Sequence, residues 1–374
     1  MTLNALILAF VAIYLIILIA LKKGWKRISV HHFVKTNTEV NFSIVIPFRN
    51  EAKHLESLLD SLRHLDYPDE NYEVLFVNDF SEDNSADLIE NYISKFHKSH
   101  YKLLQLTDND GFGKKMAITK AINHSKNEWI LCTDADCEVP PEWLKILSSF
   151  IIKNKPEMVT MPVRFKGNNS FFIKAQNLEF MSLIGLGAAL IQLKKPHLCN
   201  GANLAYSAKA FKEVNGFIGN EHIASGDDIF LLKKISKKYP GKVMFLKNNE
   251  IVVLTSAVQN VYELLQQRKR WIAKTTKDSF SSMIFPLFVW LFHISILSFA
   301  IASTFYPVLS KSVVILFSAK IIGEALFILP VLKFFKLKQL FRSYLPTAFI
   351  YIFYVSFLPL LSVFSKPDWK NRKV

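Results

Sequence analysis

Apolar runs at both ends of the chain set the first limit on its fold. Leu3 to Leu21 is an apolar run close to the ~20 residues that cross a bilayer, and KKGWKR (Lys22 to Arg27) follows it directly. Three more runs lie near the other end, at about Met283 to Thr304, Val313 to Leu332 and Tyr344 to Phe364. Backbone inside hydrocarbon must satisfy its own hydrogen bonds, so such runs fold as helices. The first run has no positive charge before it and no small-residue cleavage site after it, so it reads as an uncleaved anchor and not a signal peptide. Basic residues gather on the cytoplasmic face of a membrane. Residue 22 onward is therefore expected in the cytoplasm, as is the loop KFFKLKQLFRS with Lys333, Lys336, Lys338 and Arg342. Four crossings would leave the basic tail KPDWKNRKV outside, against that rule. Either the tail is an exception or one segment lies in the interface. Lys320 and Glu324 stand one helical turn apart in the third run, spaced to pair on one face. Ionisable residues in a span are functional candidates; the plainer account is a structural pair facing the bundle.

The 374 residues leave room for one globular domain of ordinary size between the apolar ends. A net charge of +15 would suit nucleic acid, but the Lys and Arg cluster beside apolar segments and no nucleic-acid motif accompanies them. The expected partner is a lipid bilayer, and no nucleic acid. Cys132, Cys137 and Cys199 are sparse and lack C-x-x-C spacing, which argues against a disulfide framework or zinc site and for a reducing compartment. His31, His32 and His124 show no metal spacing.

Residues 40–280 read as an α/β unit. FSIVIP, YEVLFVND, KLLQL and EWILCTDAD are short apolar runs, separated by the amphipathic stretches NEAKHLESLLDSLRHL, SADLIENYISKFHK and KKMAITKAINHS. That alternation predicts a parallel sheet covered on both faces, with ligands beyond the carboxyl ends of its strands. Pro47 to Glu51, Asp79, and Asp134 with Asp136 all fall at such ends.

Four motifs carry the chemistry. Asp134 and Asp136 form a D-A-D; in extended chain, residues two apart share a face, and two carboxylates there offer hard oxygens to Mg²⁺ or Mn²⁺, a diphosphate supplying more. Asp79 ends a run of Val, Leu, Phe and Val, placed to accept a uracil N3–H or fix a ribose hydroxyl; a helix cap is the alternative, though Ser81 and Ser85 suit that better. Asp227 and Asp228 open a helix in SGDDIFLL, one suited to capping, the other to general-base work on an acceptor hydroxyl. Gln267, Arg270 and Trp271 share a face in VYELLQQRKRWIAKTTK; Trp offers a stacking plane and Arg a fork for diphosphate. Arg268, Lys269 and Lys274 read as an ordinary interfacial belt. Gly111-Phe112-Gly113-Lys114-Lys115 precedes a helix and suits phosphate approach, or is a turn with solvated lysines; it is not a Walker loop. Phe171 to Leu193 is apolar but holds Lys174, Gln176, Asn177 and Glu179, so it is a buried domain helix or one lying on the bilayer. Asn200, Gly201 and Asn203 suit an acceptor pocket or a plain turn.

In this order the motifs resemble the family 2 glycosyltransferases, in the membrane-anchored branch of cellulose, chitin and hyaluronan synthases and ceramide glucosyltransferases. IVIPFRNE, VNDFSEDNS, GFGKK, TDAD, SGDD and QRKRW carry the likeness over residues 40 to 275. It implies a GT-A (Rossmann-like) domain at residues 40–280, an anchor at 1–21, about three helices within 283–364 and a basic tail at 365–374. It implies a cytoplasmic catalytic domain on a multi-pass bacterial cell membrane. It implies Pro47, Arg49, Glu51, Asp79, Lys114 and Asp134 as nucleotide-sugar contacts and Asp134 and Asp136 as holders of a divalent cation. Asp228 would be the base beside Asp227, with Gln267, Arg270 and Trp271 touching acceptor and diphosphate. Asn78, Arg49 and Asp227 depart from the usual Asp, aromatic residue and Glu. The expected reaction is inverting transfer of a hexosyl residue from a UDP-sugar to a lipid or glycan. The rivals are a polyprenyl-phosphate glycosyltransferase and a nucleotide-sugar-binding scaffold without activity. Three C-terminal helices are few for a secretion channel, which favours a lipid or single-addition acceptor.

Overall fold

The computed structural model describes residues 3–35, 38–167, 170–221, 223, 226–276, 280–363, 368–369 and 372–373. Ser225 of the S-G-D-D motif, Phe364 and most of the basic tail lie outside the described residues. Two compact units divide the chain: residues 28–166 with 190–257, and residues 1–27 with 167–189 and 258–374.

The first unit is built on a sheet. Its strands are β1 (Phe42–Phe48), β2 (Tyr72–Asn78), β3 (Tyr101–Gln105), β4 (Trp129–Cys132), β5 (Met158–Thr160), β6 (Val163–Phe165), β7 (Leu204–Ser207), β8 (Val243–Phe245) and β9 (Val253–Thr255). Seven of them form one sheet in the order β3-β2-β1-β4-β7-β5-β8, while β6 and β9 pair separately. The three strands around β1 run parallel to it or to its neighbour, as the alternation predicts. The sheet is nevertheless mixed: β7 runs antiparallel to both β4 and β5. Reversal brings the start of β7 to the edge where β4 ends, Leu204 lying opposite Cys132.

Every residue of β2 is buried, which explains its lack of polar alternation. Val45, Leu75, Val77 and Ile130 pack with Ala117, Ile118 and Ala121 of helix Lys114–His124 and with Leu231 and Ile235 of helix Asp227–Lys238. The alternate residues Ile44, Ile46, Val74 and Phe76 point to the opposite face and are equally buried. Each such side chain contributes about 1.5–3 kcal/mol when fully buried. In helix Ala52–Arg63 the buried residues Leu55, Leu58, Leu59 and Leu62 trace one stripe at helical spacing. In chain order the helices are α1 (Leu3–Arg27), α2 (Ala52–Arg63), α3 (Ser85–Lys95), α4 (Lys114–His124), α5 (Trp143–Asn154), α6 (Phe171–Gln192), α7 (Ala208–Glu213), α8 (Asp227–Lys238), α9 (Val261–Thr276), α10 (Phe280–Phe305), α11 (Ser310–Phe334) and α12 (Tyr344–Val363).

The second unit is helical. Four helical segments, Leu3–Arg27, Met283–Phe305, Pro307–Phe334 and Lys338–Leu360, are long and apolar enough to cross a membrane. Ile7, Val11 and Tyr14 of α1 pack with Phe292 and Ile296 of α10, Leu316 and Ala319 of α11 and Ile352 of α12. A Cβ on Gly323 would come within 2.7 Å of Leu18, so that glycine sets how closely α1 and α11 approach. Lys320 is fully buried, and its Nζ donates to Glu324 Oε2 at 2.6 Å while Tyr14 donates to Glu324 Oε1 at 2.7 Å. The pair therefore faces the bundle. Gln176 and Asn177 of α6 are also buried, and α6 falls short of the apolarity a span requires. It packs within the helical unit through those residues, whose amide nitrogens bond to the protein: Gln176 donates to Val258 O and Asn177 to Gly167 O. Near the end of the chain Asp368–Trp369 and Arg372–Lys373 form a short antiparallel pair.

Candidate active site

Two loops after β1 and β2 are tied together by reciprocal bonds. Asn50 N donates to Ser81 Oγ, Glu82 N to Asn50 Oδ1 and Glu51 N to Ser85 Oγ. Ser81 and Ser85 thus join the loops instead of capping α3. Asn50 and Phe80 hold φ near 51° and 53°, a left-handed conformation that costs energy outside glycine and clusters at functional loops. Arg49 is buried, and its guanidinium donates to the carbonyls of Asp79 and Phe80 and to Glu82 Oε1. Arg49 thereby braces the Asp79 turn through both terminal nitrogens. Pro47 lies in β1 opposite Val77, and Glu51 stands at the start of α2. Asn78 spans from Gln105 Oε1 to the Ser81 amide.

Asp79 is 3% exposed, and its Oδ1 accepts from Gly113 N at 3.1 Å. Gly113 has φ 97°, which favours glycine, and it begins α4. The next residue, Lys114, reaches Asp134 Oδ1 at 2.6 Å and Asp227 Oδ2 at 3.6 Å. Burial opposes its charge, but the carboxylates of Asp134 and Asp227 outweigh that and hold the ammonium well above the usual lysine range. Gly201, at the turn before β7, lies against this pair: a Cβ there would stand 3.3 Å from both Asp227 Oδ2 and Lys114 Nζ and 3.6 Å from Asp228 Cβ. Asp228 is 8% exposed at the start of α8, whose backbone N–H groups favour negative charge. Residues of the Asp79, G-F-G-K-K, D-A-D and D-D motifs thus meet at one sheet edge.

The D-A-D departs from extended chain. β4 ends at Cys132, and Cys137 N donates to Asp134 O to close a turn. The two carboxylates consequently differ: Asp134 meets Lys114, whereas Asp136 accepts from Thr255 Oγ1 at 3.1 Å. Burial and then the Asp134 charge raise the Asp136 carboxyl above its usual range. A divalent cation between the two would relieve that repulsion, and carboxylate oxygens are its usual ligands. Among the described residues, no three His, Cys, Asp or Glu side chains converge to enclose a cation, so two carboxylates would need oxygens from elsewhere.

Two features went unread in the sequence. Lys115 is 4% exposed, not solvated; it donates to Asn220 O at 2.6 Å and Ile223 O at 2.8 Å, pinning the segment before Asp227. Burial brings it down to about 8, against the pull of Asp227 and Asp228. Asn203 is fully buried and bonds to Trp143 Nε1, Pro162 O and Ile251 O, so it braces the fold. The cysteines carry free thiols, and burial pushes Cys132 up to about 12, leaving it inert.

Gln267, Arg270 and Trp271 lie on α9, in the helical unit. Burial brings the Arg270 guanidinium down to about 10, still charged at neutral pH. Arg268 does not belong to an exposed belt. It is 2% exposed and pairs with Glu179 through two nitrogens. The spacing of a basic run cannot separate a solvated arginine from one with a buried partner.

A mixed α/β sheet with clustered acids at its carboxyl edge and apolar helices at both ends of the chain is a GT-A-like architecture. The chain belongs to the family 2 glycosyl transferases: residues 43–214 match Glycosyl transferase family 2 and residues 129–363 match Glycosyl transferase family group 2. It carries the glycosyltransferase domain of that family. One relative is the poly(ribitol-phosphate) beta-N-acetylglucosaminyltransferase TarS of Staphylococcus aureus, 30% identical over 130 residues, 35% of this chain and 22% of TarS. Another is the poly-beta-1,6-N-acetyl-D-glucosamine synthase of Staphylococcus epidermidis, 30% identical over 145 residues, 38% of this chain and 33% of the synthase. The chain thus spans a third or less of these relatives' length. Among solved structures, the mannosyltransferase PcManGT from Pyrobaculum calidifontis, in complex with GDP-Man and Mn2+, is similar in fold. The TM-score is 0.60 at 16% identity, over 96% of this chain and 95% of that one.

Proposed function

We propose that this protein is an inverting glycosyltransferase that passes a hexosyl residue from a UDP-sugar to a lipid or glycan acceptor at the cytoplasmic face of a membrane. The supporting observation is the Lys114 ammonium set between Asp134 and Asp227, with Asp228 beside them. In this reading Asp79 contacts the nucleoside, Lys114 and Asp134 the diphosphate, and Pro47 and Glu51 shape the nucleotide side. Asp134 and Asp136 are the residues to hold Mg²⁺ or Mn²⁺. A cation there supplies charge neutralisation for the leaving nucleotide. Asp228 takes the proton of the acceptor hydroxyl as its oxygen bonds to the sugar C1, while the bond from C1 to the diphosphate oxygen breaks on the opposite face. Asp227 holds Lys114 in place. Gln267, Arg270 and Trp271 are assigned to acceptor and diphosphate.

We assign residues 40–280 to the catalytic part, 1–21 to an anchor, 283–364 to membrane helices and 365–374 to a basic tail. The bases at Lys22–Arg27 and Lys333–Arg342 support the cytoplasmic orientation.

The test is a panel of labelled UDP-sugars incubated with the protein, a membrane extract and Mg²⁺, tracing label into lipid and polymer. UDP-N-acetylglucosamine heads the panel, since both relatives' names carry that sugar. Asp228→Asn should lower transfer by about 10²–10⁴-fold with donor binding retained. Substantial residual transfer would point to an anionic polyprenyl-phosphate acceptor, which needs no base. No UDP release from any donor would leave a binding scaffold.

A further inference from the structure

Within the helical unit, one buried guanidinium holds two of the three Q-x-x-R-W residues. Arg268 lies inside the motif on α9. Its Nη1 donates to Gln267 Oε1, and its guanidinium carbon stands 4.1 Å from the centroid of the Trp271 ring. Its Nε reaches both oxygens of Glu179 at 3.1 Å, and its Nη2 reaches Oε2 at 2.5 Å. Glu179, on α6, is itself fixed from α12: Tyr351 donates to its Oε1 at 3.0 Å and Tyr354 at 3.4 Å. Arg268 and Glu179 side chains are only 3% and 8% exposed.

A buried ion pair is weak evidence for stability, because desolvation offsets much of the attraction. What a fork-to-carboxylate pair gives without reserve is direction: two parallel N–H bonds fix the plane of the guanidinium. Here the same guanidinium also lies over an indole ring and donates to a primary amide oxygen. The orientation of Trp271 and of Gln267 therefore depends on a carboxylate delivered by a different helix.

We propose that Arg268 and Glu179 are positioning residues that set the Trp271 ring and the Gln267 amide for the acceptor, touching no substrate themselves. This rests on the assignment of Gln267 and Trp271 to the acceptor. Loss of the pair leaves donor handling in place and loosens acceptor binding, so that water competes better for the sugar.

The experiment uses the full chain in lipid nanodiscs, with a titrated whole-membrane extract as acceptor source and the donor selected by the panel above. Label transfer and UDP release are read in parallel. The double variant Glu179→Gln with Arg268→Gln leaves no unpaired buried charge. It should raise the half-saturating extract concentration by about tenfold and shift UDP release toward hydrolysis, while half-saturating donor changes less than about twofold. Arg268→Lys keeps charge without the fork and should show the same split; it carries the test if the double variant does not fold. Wild-type acceptor saturation in either folded variant overturns the proposal, as does a loss in which donor and acceptor constants move together with melting temperature. Trp271→Ala separates the two claims. If it leaves acceptor saturation unchanged, the acceptor assignment fails; if it weakens acceptor binding and the pair variants do not, only the positioning proposal fails.

Discussion

Gly201 shows how little room the acidic edge has. Its backbone needs no special conformation, but any side chain would meet Asp227 and Lys114 at 3.3 Å. Gly201→Ala should therefore leave the melting temperature within about 2 °C and lower transfer by about tenfold or more, through displacement of the ammonium; unchanged transfer would show that the space is spare. Lys115 offers a test by pH. Its folded value of about 8 lies below the ordinary 10.5, so in that window the unfolded chain binds more protons than the folded one. Its contribution to stability is least below pH 8 and rises as pH climbs toward 10.5. Lys115→Met cannot titrate. The melting temperature of wild type relative to K115M should thus move in favour of wild type between pH 7 and pH 10, and a flat difference would mean the ammonium is not desolvated. Asp79, Asp134, Asp227 and Asp228 were legible one by one, because acids at strand ends and helix starts have a mechanism. Gly201 and Lys115 were not, since their roles come from neighbours distant in sequence.

At the scale of elements, the loops after β1 and β2 act as one piece. Arg49→Ala removes donors from two main-chain carbonyls and from Glu82. An unmade bond to a buried carbonyl costs about 1–3 kcal/mol, so thermal unfolding should show a loss of about 2–3 kcal/mol. Donor affinity should fall with it, as the Asp79 turn loses its brace; full stability would place Arg49 on the ligand instead. The first four strands and the helices between them were readable because apolar runs there alternate regularly with amphipathic stretches. β5, β7 and β8 span three or four residues, too short for any pattern, and nothing in LAYS encodes its reversed direction. Arg268 and Glu179 are separated by 89 positions, and no local pattern links them.

For the whole molecule, the charged pair on α11 tests what the helical unit tolerates. Glu324→Gln strands Lys320 as a fully buried cation and should cost about 3 kcal/mol, measured by thermal unfolding in detergent. Lys320→Met combined with Glu324→Gln should recover most of that loss; failure to recover would mark the pair as needed for more than neutrality. The reversed strand has a consequence for synthesis. β4 is complete when Cys132 leaves the ribosome, yet one of its edges has no partner until Leu204 to Ser207 emerge, after all of α6. Throughout that interval the nascent chain presents an open, apolar strand edge, a template for pairing with other chains. Early membrane capture of α1 would hold each growing chain apart from its neighbours during those seconds.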